Sequence, residues 1–393
     1  MKIMLLGVGM QGKAALHDLV LSKYVSEILA ADLDIASLEA HVGTWDYGDK
    51  VKCEPVDASS PDDLDRLMAW NPDVLIDLLP VPLIPNVAAV AVSHGVHLVN
   101  TSFLQPEVQE LAENAKKRGI SILPEFGLDP GIDLVLFGEA VRSLETVEEI
   151  ALYGSGIPEA EAANNPIQYK VSWTFEGVLR SYHRPASLIR NGAVVNIPES
   201  EIFSPENVHE VEIQELGRLE AFPNGDALRY LDLLGVDPSD VRTMGRYTMR
   251  WPGHCAFWKS IVDLHLLDSD PVMLDGYAVD KVRYLTEAIG PHIQYGPDER
   301  DLAILRVVVK GKKDGKESHS VYQLIDRRDL DTGFSAMSRT VGYTASIGAQ
   351  MLGSGEITKR GILSPVTDIP FAHLVGELDK RGIHVRSEIS NLP

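Results

Sequence analysis

Short apolar runs that end in glycine or an acid, each followed by a helical pattern, fill the first third of the chain. The opening run, Met1–Leu6, stops at Gly7, and apolar positions then recur at helical spacing as far as Val20. A second run, Ile28–Ala31, ends at Asp32. Because short continuous apolar runs are typical of buried parallel strands, the pattern predicts strands that alternate with helices.

This alternation continues to residue 125. Further strands are predicted at Val51–Val56, Asp73–Leu79, Val96–Val99 and Ile120–Pro124. The helices predicted between and beside them are Ile35–Val42, Pro61–Trp70, Val87–His94 and Glu107–Arg118. Repeated βα units imply a parallel sheet, so residues 1–125 are predicted to form a Rossmann-type parallel sheet domain of an α/β protein.

Strand-like runs dominate the pattern from Glu149 onward. They are Glu149–Tyr153, Tyr169–Trp173, Val194–Ile197, Val211–Glu215, Arg246–Met249, Ile261–Leu267, Leu302–Val309 and Ser320–Asp326, with a hairpin turn at Gly311–Glu317. We therefore predict a second α+β domain with a mainly antiparallel sheet over residues 126–339. The segment of about 340–393, which opens with a small-residue helix at Thr340–Leu352, is predicted to pack back on the first domain.

The glycines after the first strand have the spacing G-x-G-x-x-G. In a dinucleotide-binding turn, Gly7 permits the tight bend, Gly9 lets the backbone approach a pyrophosphate, and Gly12 lets the helix pack closely. The helix N-terminus offers unpaired N–H groups to the phosphates. Asp32 follows the last glycine by about 20 residues, where a ribose-binding carboxylate is expected.

The ends of the predicted strands form the expected cofactor rim. Asp57 is read either as an adenine-side contact or as an ordinary turn acid, and Thr101 follows the fifth strand. Asp32 favours NAD, because a carboxylate binds the ribose 2′-hydroxyl and repels a 2′-phosphate. Leu33 and Asp34 supply no compensating arginine, so the predicted cofactor is NAD.

The composition of the chain limits the classes of partner that we expect it to bind. The 393 residues carry a formal net charge of −21, which disfavours nucleic acid and anionic membranes as partners. Two cysteines make no disulfide framework, and no metal-site spacing is visible. With no visible signal peptide or membrane span, we expect a cytoplasmic protein that acts on a small molecule, as a homodimer by default.

Polar groups in the second half offer candidate chemistry, each with a plainer alternative. Asp129 lies in a glycine-flanked turn and is either a functional acid or a turn residue. Arg246 and Arg250 would share one face of a strand, as a carboxylate clamp or as a solvated face. His254 follows in a turn and is either an acid/base or a loop residue, and Trp173 is either core or a site wall.

Several ordered segments resemble the saccharopine dehydrogenase family over nearly the whole chain. The segments are GLDPGID (Gly127–Asp133), PEAEAANNPIQYKVSW (Pro158–Trp173), FPNGDALRY (Phe222–Tyr230) and GEITKRGILSP (Gly355–Pro365). The resemblance is to the members that form glutamate. It implies hydride transfer between a nicotinamide and a C–N bond of a lysine-type amino acid such as saccharopine.

A second branch of this architecture, the lysine 6-dehydrogenases, is resembled by YTMRWPGH (Tyr247–His254) and RPASLIRNG (Arg184–Gly192). The family's saccharopine-binding arginine falls at Gly225 here. Saccharopine carries three carboxylates, so this loss favours free lysine. Asp129 argues the other way, because the lysine 6-dehydrogenases tend to have alanine there, and the two interpretations stay open.

The resemblance also implies residue roles. Asp129 becomes a substrate-amine partner, Trp173 a wall of the substrate site, and Phe103 stands where the saccharopine enzymes have a tyrosine. His254 is the predicted acid/base, and Arg250 and Asn224 are the predicted carboxylate and polar ligands, with Arg246 and Arg229 as further candidates. A non-catalytic NAD-binding regulatory protein is the alternative outside the enzyme class.

Overall fold

The computed structural model describes residues 1–391, which divide into two units. The first unit comprises Met1–Gly138 and Met337–His384. The second comprises Glu139–Ala336 and the described residues from Val385 onward. Within residues 1–391, no helix is both long and apolar enough to cross a bilayer.

The strands, in chain order, are β1 Lys2–Leu6, β2 Glu27–Asp32, β3 Val51–Pro55, β4 Val74–Asp77, β5 His97–Asn100, β6 Ser121–Leu123, β7 Thr146–Pro158, β8 Ala186–Arg190, β9 Ala193–Ile197, β10 His209–Ile213, β11 Gly217–Pro223, β12 Thr243–Arg250, β13 Val272–Leu274, β14 Tyr277–Val279, β15 Asp301–Lys313, β16 Lys316–Arg327, β17 Gly361–Ile362 and β18 Val385–Asn391.

The α-helices are α1 Met10–Leu21, α2 Ile35–Gly43, α3 Pro61–Met68, α4 Ile84–His94, α5 Pro106–Gln109, α6 Ala112–Lys117, α7 Ile132–Arg142, α8 Phe175–Ser181, α9 Leu231–Leu234, α10 His254–Asp263, α11 Lys281–Ile289, α12 Ala336–Gly353, α13 Pro365–Asp368 and α14 Phe371–Asp379.

The sheet of the first unit is parallel throughout, in the order β17-β6-β5-β4-β1-β2-β3. β1 and β4 lie at its centre, and their apolar side chains are almost all fully buried. The chain turns from β1 to β2 on one side and later to β4 on the other, so the strand order reverses at β1. Ligands of such sheets bind at the carboxyl ends of the strands, at this switch point.

The second unit has a mixed sheet in the order β10-β11-β12-β7-β15-β16-β18, which β8 and β9 extend from β12. Only the β12–β7 pair is parallel among its described pairings. The predicted fold class, a Rossmann-type parallel sheet with a second, mainly antiparallel α+β unit, is confirmed. The predicted hairpin is present too, with Asp314 and Gly315 in the left-handed conformation that a two-residue turn requires.

Two predicted strands of this unit are wrong. Tyr169–Trp173 has no regular secondary structure, and Ile261–Leu267 contains the end of α10 and the turn after it. The buried positions of α10 are His254, Cys255, Trp258 and Val262, one helical face. The predicted strand began at Ile261, inside the last turn of this helix. Its apolar residues were therefore considered without the rest of the helical face, and alone they fit a strand pattern.

Candidate functional site

The glycine turn after β1 has the geometry that its spacing predicted. Gly7 has φ +85°, a conformation that side-chain-bearing residues rarely adopt, and a Cβ there would lie 2.9 Å from the Leu78 carbonyl oxygen. A Cβ on Gly12 would lie 2.1 Å from the Gly7 carbonyl oxygen. Glycine at both positions is therefore required by the fold itself, which brings α1 directly against the turn.

Gly9 is different, because the fold does not require it. Its φ is −71°, which any residue adopts, and a Cβ there would meet no protein atom within 4 Å. Gly9 is also the N-cap of α1 and brings no side chain to cap the helix. The first N–H groups of α1 thus face open space beside an uncapped helix N-terminus, which is the arrangement that binds a pyrophosphate.

Asp32 lies at the end of β2 beside this turn. Its Oδ2 accepts a hydrogen bond from the Val8 amide at 2.7 Å, and its Oδ1 accepts one from the Asp34 amide at 3.0 Å. The two bonds fix the plane of the carboxylate, and each oxygen keeps a lone pair for a further donor. The carboxylate is therefore held ready for a ribose hydroxyl.

The other two predicted cofactor residues lie in different surroundings. Asp57 is exposed, and its Oδ1 accepts from both the amide and the hydroxyl of Ser59, which lowers the pKa of Asp57. This turn is the arrangement that the plainer interpretation describes. Thr101 is half-buried after β5, where its Cβ lies 3.2 Å from the place a Cβ on Gly127 would occupy.

A buried acid that the sequence interpretation placed only inside a strand lies at the same edge. Asp77, at the end of β4, is fully buried, and its oxygens accept from the Leu79 amide at 3.0 Å and from Asn100 Nδ2 at 3.2 Å. Asn100 in turn accepts from the Ser102 amide at 2.7 Å. This network joins the ends of β4 and β5 beneath the loops that follow them.

Asp77 predicts a specific pH dependence. Burial raises the pKa of Asp77 to about 7, although hydrogen bonds from Leu79 and Asn100 oppose the shift. In the unfolded chain the group loses its proton near the ordinary value of about 4. Between these values the folded state binds more protons, so stability falls as pH rises from about 4 to about 7.

The measurement is urea unfolding of wild type and Asp77→Asn between about pH 5 and pH 8. We expect wild type to lose stability relative to the variant, on the order of a few kcal/mol, as pH rises through this range. A difference between the two proteins that does not change with pH would contradict the assignment to Asp77.

The segment after β6 carries the predicted Asp129. Asp129 is half-buried in the turn before α7, and its bond to Pro130 is cis. The Gly127 amide donates to the Pro130 carbonyl oxygen at 2.9 Å, and the Gly131 amide donates to Asp133 Oδ1 at 2.7 Å. Phe103 is half-buried in the loop after the neighbouring strand β5. The strand ends thus place both residues at the same edge of the parallel sheet.

In the second unit, Arg250 and His254 are brought together through Tyr182. Arg250 Nε donates to Tyr182 Oη at 3.1 Å, and Tyr182 Oη lies 2.8 Å from His254 Nε2. His254 Nδ1 lies 2.9 Å from the Ile167 carbonyl oxygen, which only accepts, so Nδ1 carries the proton. The chain of donors therefore runs from Arg250 through Tyr182 and His254 to Ile167.

This geometry is unfavourable for the predicted acid/base role of His254. The side chain is 1% exposed and both ring nitrogens have interior partners. Burial, assisted by the nearby Arg250 charge, lowers the pKa of His254 to about 3, against the value near 7 that suits proton transfer. The ring instead fixes the segment after Ile167.

Arg250 is likewise an interior residue. It is 5% exposed, and its guanidinium lies 5.1 Å from the ring centre of Tyr169 and 5.8 Å from that of Tyr182. Arg246 is also buried, over the ring of Tyr230 at 5.8 Å. Each arginine thus packs against an aromatic ring. Neither lies on a solvated strand face, so the interpretation of Arg246 and Arg250 as a solvated face is wrong.

Asn224 and Gly225 form the turn after β11. The Asn224 amide donates to the Arg246 carbonyl oxygen at 2.9 Å, which joins this turn to β12. Gly225 has φ +67°, and a Cβ there would meet nothing within 4 Å. The position has room for a longer side chain, but its backbone conformation favours glycine.

Trp173 is half-buried and lies directly against α8. A Cβ on Gly177 would be 2.7 Å from the Trp173 ring, so this glycine permits the contact. The neighbouring Lys170 is 6% exposed, and its Nζ pairs with Glu299 Oε2 at 2.5 Å. Among residues 1–391, no cluster of histidine, cysteine and acidic side chains is arranged to hold a metal ion.

The edge of the parallel sheet fits a dinucleotide. The open space at Gly9, the uncapped start of α1 and the oriented carboxylate of Asp32 occupy the places that pyrophosphate and ribose need. The fold and this edge are those of a dinucleotide-binding protein.

Comparison with known families is more specific. The model of the saccharopine dehydrogenase NADP binding domain matches residues 3–123, and that of the saccharopine dehydrogenase C-terminal domain matches residues 127–383. The chain belongs to the saccharopine dehydrogenase family.

Individual relatives agree. The mitochondrial alpha-aminoadipic semialdehyde synthase of Mus musculus is 27% identical over an alignment of 373 positions that covers 79% of this chain and 40% of that protein. The saccharopine dehydrogenase [NADP(+), L-glutamate-forming] of Saccharomyces cerevisiae is 25% identical over an alignment of 401 positions that covers 86% of this chain and 89% of that protein. The chain therefore spans less than half of the mouse relative but most of the yeast one.

A solved structure has the same fold. The apo saccharopine dehydrogenase (L-Glu forming) of Saccharomyces cerevisiae superimposes with a TM-score of 0.86 at 23% identity, covering 99% of each chain. The similarity extends over both units.

Proposed function

We propose that this protein is an NAD-dependent oxidoreductase that transfers a hydride between the dinucleotide and a C–N bond of a lysine-type amino acid, saccharopine or a close relative. The observation that carries the proposal is the ordered match of both family domains, at residues 3–123 and 127–383. The yeast relative, of which the alignment covers 89%, is named as a saccharopine dehydrogenase that forms L-glutamate with NADP(+). A bound nicotinamide dinucleotide would supply hydride transfer at the carbon that bears nitrogen, and the imine left by oxidation would be hydrolysed by water.

The residues of the chain divide the remaining work. In the first unit, Asp129 is the proposed partner of the substrate nitrogen, beside Phe103 at the same sheet edge. For the second unit taken by itself, the family resemblance proposes Trp173 and Asn224 as residues for the amino acid. Arg250 and His254 then act as positioning residues. His254 holds the Ile167 carbonyl and Arg250 stacks on Tyr169, so together they fix the irregular segment that leads to Trp173.

Asp32 supports NAD rather than the NADP for which the family domain and the yeast relative are named. Its carboxylate lies where it would accept a hydrogen bond from the 2′-hydroxyl of the adenosine ribose. Leu33 and Asp34 beside it bring no positive charge that could bind a 2′-phosphate. We expect Asp32→Ala to weaken NAD binding at least about tenfold and to narrow the preference over NADP. Titration of both dinucleotides by fluorescence measures this, and an NADP affinity above that of NAD in wild type would contradict the assignment.

Free L-lysine is the second candidate substrate. The specific observation is Gly225, whose φ of +67° suits glycine where the saccharopine enzymes have an arginine. Product analysis separates the two, because saccharopine oxidation releases glutamate whereas lysine oxidation at the ε-carbon releases ammonia. Glutamate with saccharopine supports the first proposal, and ammonia with lysine alone supports the second.

A further inference from the structure

Glu125 lies two residues after the end of β6 and has an unusual combination of properties. It has φ +57°, in the left-handed region that non-glycine residues seldom occupy, and it is 3% exposed. A buried acid in a strained backbone conformation persists only where its surroundings hold it, and such residues concentrate at functional sites. Glu125 therefore needs an explanation beyond packing.

Two hydrogen bonds join Glu125 to the loop after β5. Glu125 Oε1 accepts a hydrogen bond from the Leu104 amide at 3.1 Å, and the Glu125 amide donates to the Ser102 carbonyl oxygen at 3.0 Å. The next residue, Phe126, donates its amide to the Asn100 carbonyl oxygen at 2.9 Å. The carboxylate and the backbone thus hold residues 101–104 from both ends of the loop.

That loop occupies an informative place in the sheet. The strand order puts β2 and Asp32 on one side of β1, and β4, β5 and β6 on the other. With the adenosine ribose at Asp32, the nicotinamide half extends toward the ends of β4, β5 and β6. The loop with Thr101 and Phe103 and the turn with Asp129 both leave the sheet there, and Glu125 lies between them in the chain.

We propose that Glu125 is a positioning residue that fixes the 101–104 loop, and with it Phe103, for the amino-acid substrate. The proposal rests on the proposed function for the identity of the substrate. From its left-handed backbone position the Glu125 side chain reaches the loop after β5, where Oε1 accepts from the Leu104 amide. Substrate binding, rather than dinucleotide binding, is the property that depends on it.

Three variants separate the carboxylate from the backbone conformation. Glu125→Gln keeps an acceptor oxygen on a side chain of the same length. Glu125→Gly removes the acceptor but suits the left-handed backbone. Glu215→Gly is the matched control, because Glu215 is an exposed glutamate with φ +80° in the second unit. The readouts are KM for saccharopine and for L-lysine, the Kd of NADH, and hydrogen exchange of the amides of residues 101–105.

We expect Glu125→Gly to raise KM at least about tenfold with the Kd of NADH changed less than about threefold, and to speed exchange at Leu104. Glu125→Gln is expected to keep both KM and the exchange rate at Leu104 close to the wild-type values. Glu215→Gly is expected to change neither quantity. Unaltered exchange at Leu104 would overturn the tether, and faster exchange with unaltered KM would overturn its role in substrate binding. If the wild-type protein oxidises neither saccharopine nor L-lysine, the proposed function is wrong. Hydrogen exchange at Leu104 then still tests whether Glu125 holds the 101–104 loop.

Discussion

Replacing Gly9 with alanine is expected to leave the protein folded and to weaken dinucleotide binding by at least about tenfold. The added methyl group meets no protein atom within 4 Å, and φ of −71° lies outside the left-handed region, so the free energy of unfolding should fall only by about 1 kcal/mol, the cost of alanine in place of glycine at an N-cap. The same methyl group fills the space that the pyrophosphate needs beside α1. A tenfold loss of affinity corresponds to about 1.4 kcal/mol, which lies within the range of about 1–3 kcal/mol that overfilling a close contact costs.

The matched controls are Gly43→Ala and Gly12→Ala. Gly43 ends α2 and also has open space around its missing Cβ, so its variant should bind NADH normally. Gly12→Ala drives a methyl group into the Gly7 carbonyl and should lose stability and binding together. Thermal unfolding and NADH titration give both quantities. Normal NADH affinity in folded Gly9→Ala would contradict the placement of the pyrophosphate.

Replacing Arg381 with methionine is expected to destabilise the first unit by about 3 kcal/mol. Arg381 Nε and Nη2 donate to the two carboxylate oxygens of Asp18 at 2.6 and 3.0 Å, and Nη1 donates to Glu377 Oε2 at 2.7 Å. Asp18 is 7% exposed and also accepts from Ser346 Oγ of α12 at 2.6 Å. Removing the arginine leaves a buried carboxylate with no opposite charge from this pair, which is the costly way to break an ion pair.

Lys380→Met is the control for this prediction. Lys380 Nζ pairs with Glu377 Oε1 at 2.5 Å, but the lysine side chain is 70% exposed, so the pair contributes less than about 1 kcal/mol. Urea unfolding of the two variants and wild type measures the difference. Equal midpoints for Arg381→Met and Lys380→Met would contradict a structural role for the Asp18 network.

Much of the first unit could be predicted from the sequence because its signals are local. A buried parallel strand, its glycine turn and the acid at the end of the next strand lie within the first 32 residues, and each constrains its neighbours directly. The roles of Gly7 and Gly12 follow from the backbone alone. The family segments from Gly127 onward are equally local, and the matching domain model covers them.

The second unit was harder because its site geometry depends on distant parts of the chain. The two partners of the His254 ring, Tyr182 and Ile167, are 72 and 87 residues away, so neither its burial nor its lowered pKa was visible in the WPGH turn. Lys170 is paired with a residue 129 positions later. In the first unit, the left-handed conformation of Glu125 was also not predictable from its residue type, although its place beside the Asp129 turn was a usable signal.

The most direct test of the proposed function is the absorbance of reduced nicotinamide when the purified protein is mixed with NAD⁺ and single amino acids. Saccharopine, L-lysine and a panel of related amino acids and opines are compared, with NADP⁺ in parallel. We predict NADH formation with saccharopine or L-lysine, faster with NAD⁺ than with NADP⁺. Tight NADH binding without turnover of any of these compounds would contradict the proposed reaction and favour a non-catalytic dinucleotide-binding protein.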